Sequence, residues 1–397
     1  MPELSFRTAT EADLERVIAI HGTAFPDPRP GVERRRNFTQ NALGTIDDLW
    51  LAVRDGLIVG HAFRFRLEAW FGGKPVAMGA IASVGVAPEA RGHGIASLLL
   101  GRLHEASLRD GAAISVLYPF KQGFYARHGY APTAPSTRWT FAPEAVPGAW
   151  VKEGRAMNPH APTASAPLEA LYEKVALTHS GWLRRPRALW DAQWLDERVH
   201  VVVVGAPEPR GYVAFSYAQA EPHARTRIEV RDLVAVDDAA RRALVGVLGA
   251  QRDQVAAIEL DLPSADPLAL ALLDPDRREH GDALVEHRLA TVVGGPMIRV
   301  LDLDRALAQR GYVHNASISV KLGWRTARLT SRAGSVVATE SRDAEVVIAE
   351  AWVPSVLFGG IAPSALARLG YAEGEPRALA EADALFELPP FSVMDRF

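Results

Sequence analysis

The stretch Arg91-Gly92-His93-Gly94-Ile95-Ala96-Ser97 is the part of this chain best suited to hold a phosphate. It follows an apolar run, Ala80 to Val86, that reads as a buried strand ended by Pro88. Ile95, Leu98, Leu99 and Leu103 then recur at helical spacing. Strand, glycine corner, helix: this order aims unpaired backbone N–H groups at one point, on the positive end of a helix dipole. Such a point binds phosphate. Gly92 and Gly94 let a ligand approach the backbone, and Arg91 adds a fixed positive charge. Gly92-x-Gly94-x-x-Ser97 carries part of a dinucleotide fingerprint. That motif, however, belongs in the first strand-to-helix turn, with an acid closing the next strand. Here the acid, Asp110, precedes the next strand (Ala112 to Leu117).

Other chemistries are excluded by composition. The chain has 397 residues and no cysteine, so disulfides, thiolate metal sites and cysteine nucleophiles are absent. Its twelve histidines form no ligand spacing, and His104-Glu105-x-x-Leu108 lacks a second histidine, so no metal is expected. A net charge of −3 gives nothing that draws the chain to nucleic acid or to an anionic membrane. The N-terminus has no apolar signal core and no run approaches a bilayer span, which points to the cytoplasm. The length predicts two or three domains.

The elements around the loop follow from pattern. Residues 1–8 read as a strand, and Thr10 with Asp13 as the cap of a helix from Glu11 to Phe25. Asp27 to Gly31 breaks it, and a basic helix over Val32 to Phe38 follows. Leu49 to Arg54 and Leu57 to Leu67 alternate around the hairpin signal Asp55-Gly56, and Gly72-Gly73 turns into the motif strand. After Ala112 to Leu117, residues 131–166 read as a connector holding a Trp139–Phe141 strand. A second set then repeats the first. Leu233-Val-Ala-Val-Asp, a helix and Ala257-Ile-Glu-Leu-Asp-Leu-Pro263 echo Val84 to Pro119, but Asp237-Asp238 stands where the glycines stood. This copy offers no phosphate cradle. From residue 291, alternating strands and helices suggest an α+β domain.

Arg91-x-x-Gly94-x-Ala96 after Val84-Gly85-Val86-Ala87-Pro88 resembles the pyrophosphate loop of the GNAT superfamily of acyl-CoA-dependent N-acyltransferases. Phe124-Tyr125-x-x-x-Gly129-Tyr130 resembles the segment that follows the CoA strand in those proteins, where a tyrosine lies near the thioester sulfur. With the repeat that lacks its loop and the last helix before Phe397, the whole chain resembles the Eis ("enhanced intracellular survival") family. The resemblance implies α/β and α+β architecture: tandem GNAT folds, the second degenerate, then a sterol-carrier-protein-like domain. The expected boundaries are 1–150, 151–290 and 291–397. It also implies acetyl-CoA as co-substrate, held by Val84, Gly85 and Val86, by Arg91, Gly92, His93, Gly94, Ile95, Ala96 and Ser97, and by Phe120 and Lys121. Tyr125 would be the general acid, and the terminal carboxylate of Phe397 the base. A homo-oligomer, hexameric by resemblance, acting on a small-molecule or peptide amine is implied, with no nucleic-acid or membrane partner. The alternatives are a non-catalytic acyl-CoA or lipid binder and an aminoglycoside N-acetyltransferase. Arg34, Arg35, Arg36, Arg64, Arg66 and Arg396 are expected near the acceptor pocket, with only Asp27, Glu33 and Asp395 as acids. They predict an acceptor with a neutral or anionic part rather than a polycation.

Overall fold

The computed structural model describes residues 4–27, 31–194, 196–219, 226–272, 290–395 and 397. β1 (Leu4–Thr8) leads through a capped turn to α1 (Leu14–Ala24) and then α2 (Gly31–Thr39). Thr10 N–H and Oγ1 both bond Asp13 at 2.8 Å, the cap read from the sequence. β2 (Leu49–Arg54), β3 (Leu57–Phe71) and β4 (Lys74–Val86) form an antiparallel meander. Both turns are two residues long with positive φ throughout, at Asp55-Gly56 and Gly72-Gly73, which is the backbone that tight hairpins require. α3 (Ile95–Arg109), β5 (Ile114–Leu117), α4 (Gln122–Ala126), β6 (Ala131–Pro132) and β7 (Ser136–Phe141) follow. Next come α5 (Gly148–Ala156), α6 (Ala166–Ala176), α7 (Arg187–Trp194), β8 (Val199–Val204), β9 (Gly211–Ala218), β10 (Thr226–Ala235), α8 (Asp238–Gly249) and β11 (Val255–Pro263). The last part holds β12 (Ala290–Val293), β13 (Met297–Val300), α9 (Leu303–Gln309), β14 (Ala316–Leu322), β15 (Arg325–Arg332), β16 (Ser335–Glu340), β17 (Val346–Ile348), α10 (Val353–Phe358), α11 (Pro363–Ala367), β18 (Ala372–Gly374) and α12 (Pro376–Phe386).

These elements form two compact units. One is residues 1–133, 180–189 and 295–397; the other is 134–179 and 190–294. The first unit has a seven-stranded sheet, β1-β2-β3-β4-β5-β13-β6, and a five-stranded one, β16-β15-β14-β17-β18. The second has six strands, β12-β7-β11-β10-β9-β8. The motif repeat is real: β4 and β5 pair in parallel across α3, and β10 and β11 pair in parallel across α8.

The boundaries at 150 and 290 do not follow the strands. β7, read as a fragment of a connector, lies inside the second sheet between β12 and β11. β13, read as the start of a third domain, lies inside the first sheet between β5 and β6. The two sheets have exchanged strands along the chain. Hydrophobic alternation marks a strand but not its partner, so the exchange is invisible in sequence. The segment Trp182 to Trp194 also divides. Its first part lies against β3 in the first unit, and only Arg187–Trp194 is helix.

In the first unit one core runs from the seven-stranded sheet into the C-terminal sheet, with Phe71 packed on Phe358 at 5.0 Å. Arg310 is buried inside it. It donates to the carbonyls of Leu357 and Phe386, at the negative C-terminal ends of α10 and α12, and lies 4.6 Å from the Tyr312 ring. That guanidinium fixes the point from which the eleven residues after α12 depart.

The α1 cap makes a pH prediction. Arg7 forks onto Asp13 with two bonds of 2.7 Å. Together with the Thr10 bonds this holds the Asp13 carboxyl well below the usual carboxylate range. A carboxyl whose pKa is depressed on folding adds stability above its unfolded pKa, about 4, and loses it as the pH falls. Asp13→Asn should lower the denaturation midpoint at neutral pH, and the gap to wild type should narrow below about pH 3. An offset that does not change with pH contradicts the assignment.

Candidate active site

β4 and β5 pair only from Met78↔Ile114 to Ile81↔Leu117. Beyond that the strands part, and the side of Ala82–Val86 that faces β5 has no strand partner among the described residues. On the other side a bulge interrupts the pairing of β4 with β3 between His61/Phe63 and Gly85/Ala82. Ser83 sits in it with φ +51, a conformation that non-glycine residues rarely adopt. A parted pair of strands exposes a row of backbone donors and acceptors to any extended amide chain laid alongside.

The glycine corner lies at the end of this opening. Gly94 caps α3 in the left-handed conformation, with φ +73. Among the described residues no side chain caps this fifteen-residue helix, so its first N–H groups remain for a ligand. A Cβ added at Gly92 or Gly94 would meet nothing within 4 Å. Arg91 is tied beside the loop, donating to Val86 O at 3.3 Å and Thr23 O at 2.9 Å. His93 is exposed and folds back onto Arg91 O. Ile95 is buried, so only its backbone faces the loop. Ser97 Oγ meets His128 Nε2 at 3.0 Å. Leu98, read as part of the apolar stripe, is instead half exposed.

In the second copy the same helix end is closed. Asp237 caps α8 by accepting from Ala240 N–H at 2.9 Å, and Arg210 pairs with that carboxylate. A carboxylate fills the place where an anion would sit.

A cavity of about 310 Å³ opens beside the parted strands. Val84, Phe120, Tyr125 and Phe397 line it, as do His21, Phe25, Asn37, Ser83 and Tyr118, which sequence reasoning did not single out. Only the bulge at Ser83 left a trace in sequence, as a break in an otherwise apolar strand. Lys121 is exposed and is not among the lining residues. Tyr125 is buried, and burial pushes its phenol up to about 12. Its ring packs edge-on against Phe120, Phe124 and Tyr130. Behind it, Ser115 Oγ donates to Gly79 O, so Tyr130 Oη donates to Ser115 and accepts from His104 Nε2. That directed chain holds Tyr130 against the Tyr125 ring. Phe397 packs on Tyr118, ring centroids 5.3 Å apart.

Of the six arginines expected around the acceptor, the five that are described do not line this cavity. Arg34 is buried and spent on Asp27, the carbonyls of Phe25 and Asp27, and His21 Nδ1. Arg35 pairs with Glu15, Arg64 with Asp110 at 2.6 Å, and Arg66 with Asp48 at 3.2 Å. Arg36 is exposed, and Arg396 lies outside the described residues. Each paired arginine ties two elements together, so a run of basic residues is here a set of struts. His61, behind His21, is fully buried, and burial followed by the nearby His21 pushes its imidazole down to about 3. It is therefore neutral and a poor acceptor for an ammonium proton at neutral pH. Among the described residues no cluster of side chains could hold a metal ion, and no helix is long and apolar enough to cross a membrane.

Residues 5–133 match a model of the acetyltransferase (GNAT) domain, and residues 181–300 match a second one. The chain belongs to the GNAT family of N-acetyltransferases. The second match runs through β13, which the structure places in the first sheet. Among curated proteins the chain is 26% identical over 288 residues to N-acetyltransferase Eis of Mycobacterium tuberculosis, over 66% of each chain. It thus spans slightly under two thirds of that relative's length. It is also 26% identical over 347 residues to an uncharacterized N-acetyltransferase of Streptomyces griseus, over 79% of this chain and 80% of that one. Its fold is that of a GCN5-related N-acetyltransferase from Anabaena variabilis, with a TM-score of 0.82, 21% identity and full coverage of both chains. GNAT enzymes use acetyl-CoA. The open glycine corner, the uncapped α3 and the parted strands fit a pyrophosphate followed by an extended pantetheine arm.

Gly94→Val should weaken acetyl-CoA binding at least about tenfold by titration calorimetry, because a β-branched residue cannot take φ +73 without strain. Unchanged affinity in a folded variant contradicts the cradle.

Proposed function

We propose that this enzyme acetylates a primary amine in a ternary complex, as an Eis-like N-acetyltransferase with one working site per chain. The reading is carried by one observation: Tyr125 and Phe397, far apart in sequence, line the same cavity beside the parted strands. The Val84 to Val86 edge and the loop from Arg91 to Ser97 hold acetyl-CoA, with Phe120 at the mouth of the cavity. The carboxyl group carried by Phe397 takes a proton from the acceptor ammonium; an α-carboxyl is ionised at neutral pH. The amine nitrogen then bonds to the acetyl carbon, the adduct sheds its second N–H proton to water, from which the phenol is later reprotonated, and the carbon–sulfur bond breaks. A backbone N–H at Val86 faces the developing oxyanion. Tyr125 gives its proton to the leaving thiolate, and with its phenol pushed up to about 12 it is protonated at any working pH. The five-stranded sheet, sterol-carrier-protein-like by resemblance, serves in this reading to hold the tail.

The cavity also narrows the acceptor. Among its described lining residues no side chain is a carboxylate; the walls are aromatic, with His21, Asn37 and Ser83 as polar groups. One carboxyl at Phe397 meets one ammonium, and no other side chain among the described lining residues neutralises further positive charge. The acceptor class is an amine with an apolar or neutral body, and polyamines such as aminoglycosides are poor substrates. The reason in this reading is the lack of acids among the described lining residues.

A CoA-release assay over a panel of amines tests both parts. Tyr125→Phe should lower kcat about a hundredfold with little change in the KM for acetyl-CoA. The wild-type rate should show no alkaline loss from the phenol below about pH 10, because its pKa is raised above the ordinary tyrosine value. Monoamines with aromatic or aliphatic bodies should turn over faster than kanamycin-type compounds. Rapid multi-site acetylation of an aminoglycoside overturns the acceptor class, and a Tyr125→Phe enzyme with full kcat overturns the acid.

A further inference from the structure

Chain ends fray unless something holds them, and a catalytic group must be held to a fraction of an ångström. The tail is held by a strap from the middle of the chain, residues 180–185. Along one side the strap joins β3: Gly181 N–H donates to Trp70 O and Trp70 N–H to Trp182 O, both at 2.8 Å. Along the other side it takes the tail. Ser180 N–H donates to Pro390 O at 3.1 Å and Ser392 N–H to Ser180 O at 3.0 Å. Trp182 Nε1 donates to Ser392 Oγ at 2.8 Å. Gly181 has φ +89, and a Cβ there would lie 2.7 Å from Ser392 O and 2.9 Å from the Phe391 ring.

The strap ends in Arg185, whose side chain is 1% exposed. Its Nε lies 2.9 and 3.1 Å from the two carboxylate oxygens of Asp395. Asp395 is two residues before Phe397, and its own carbonyl accepts from Tyr118 Oη at 3.2 Å. Tyr118 is the ring on which Phe397 packs. A buried ion pair is intolerant of losing one partner, because the other charge is left unpaired out of water. It is also directional, since a guanidinium fork meets a carboxylate in few orientations.

We propose that Arg185 is a positioning residue for the proton acceptor: by gripping Asp395 it sets where the carboxyl group of Phe397 stands, without touching either substrate. The inference rests on the reading of Phe397 as the base. Asp395 is the handle, Tyr118 the second clamp, and Gly181 the residue that lets the tail lie close to the strap.

The test is the steady-state rate of CoA release at saturating amine, with KM for acetyl-CoA and a thermal melt, for six proteins. These are wild type, Arg185→Met, Arg185→Lys, Asp395→Asn, Arg185→Met with Asp395→Asn, and a chain lacking Phe397. Each single neutral variant should lose kcat about thirtyfold while KM for acetyl-CoA stays within about twofold, because the cradle is untouched. The double variant should be no worse than the worse single, since both remove one contact. Arg185→Lys should recover part of the loss. If Arg185→Met melts like wild type and keeps full kcat while the chain lacking Phe397 is inactive, the inference is overturned and the base assignment stands. If the chain lacking Phe397 keeps full kcat, the base assignment falls and the inference with it. Should Arg185→Met fail to fold, Asp395→Asn, whose change lies in the tail, decides by the same kcat and KM criteria.

Discussion

A fifteen-residue strand paired on one side along only its first part must find a partner for the remainder. β3 is in that position: β4 pairs with it from Gly60 to Phe71, but β2 stops at Leu49↔Phe63. The unpaired N–H and C=O groups from Glu68 to Trp70 are satisfied by the strap at 181–184, and the strap in turn pairs with the tail. An edge left open by the length mismatch of two strands is thus what brings Phe397 to the cavity. The tail starts from a fixed point because Arg310 sits on the helix ends beneath it, and it ends at a fixed point because Arg185 and Tyr118 take Asp395. Between those anchors the chain has little freedom.

The two copies of the motif differ by a small change in local electrostatics at the helix start. Both have a strand, a helix and a parallel partner strand. In one, a left-handed glycine at the helix start leaves backbone donors facing open space. In the other, an aspartate takes those donors and adds a negative charge. The helix dipole is the same in kind; only what occupies its positive end differs.

Local features were legible in the sequence. The capping pair Thr10 and Asp13, the hairpins at Asp55-Gly56 and Gly72-Gly73, and the glycine corner are each written in adjacent residues with one conformational meaning. Partners at a distance were not. The exchange of β7 and β13, the division of the segment after Trp182, and the use of Arg34, Arg64 and Arg66 as struts depend on which elements meet, and periodicity does not carry that information. Tyr125 and Phe397 were named by family resemblance. Their meeting at one cavity follows from the strap and the tail, and Arg185 carried no sequence signal beyond being one of several arginines in a tryptophan-rich stretch.

If the charge carried by Phe397, rather than its bulk, does the chemistry, removing that charge alone should stop acetyl transfer. The most direct measurement is the single-turnover rate of acetyl transfer by a semisynthetic chain ending in Phe397 carboxamide. That change keeps the ring on Tyr118 and removes only the charge. The rate should fall at least about a hundredfold, with acetyl-CoA affinity unchanged. A carboxamide protein that transfers acetyl groups as fast as the native one would rule out the Phe397 carboxylate as the base.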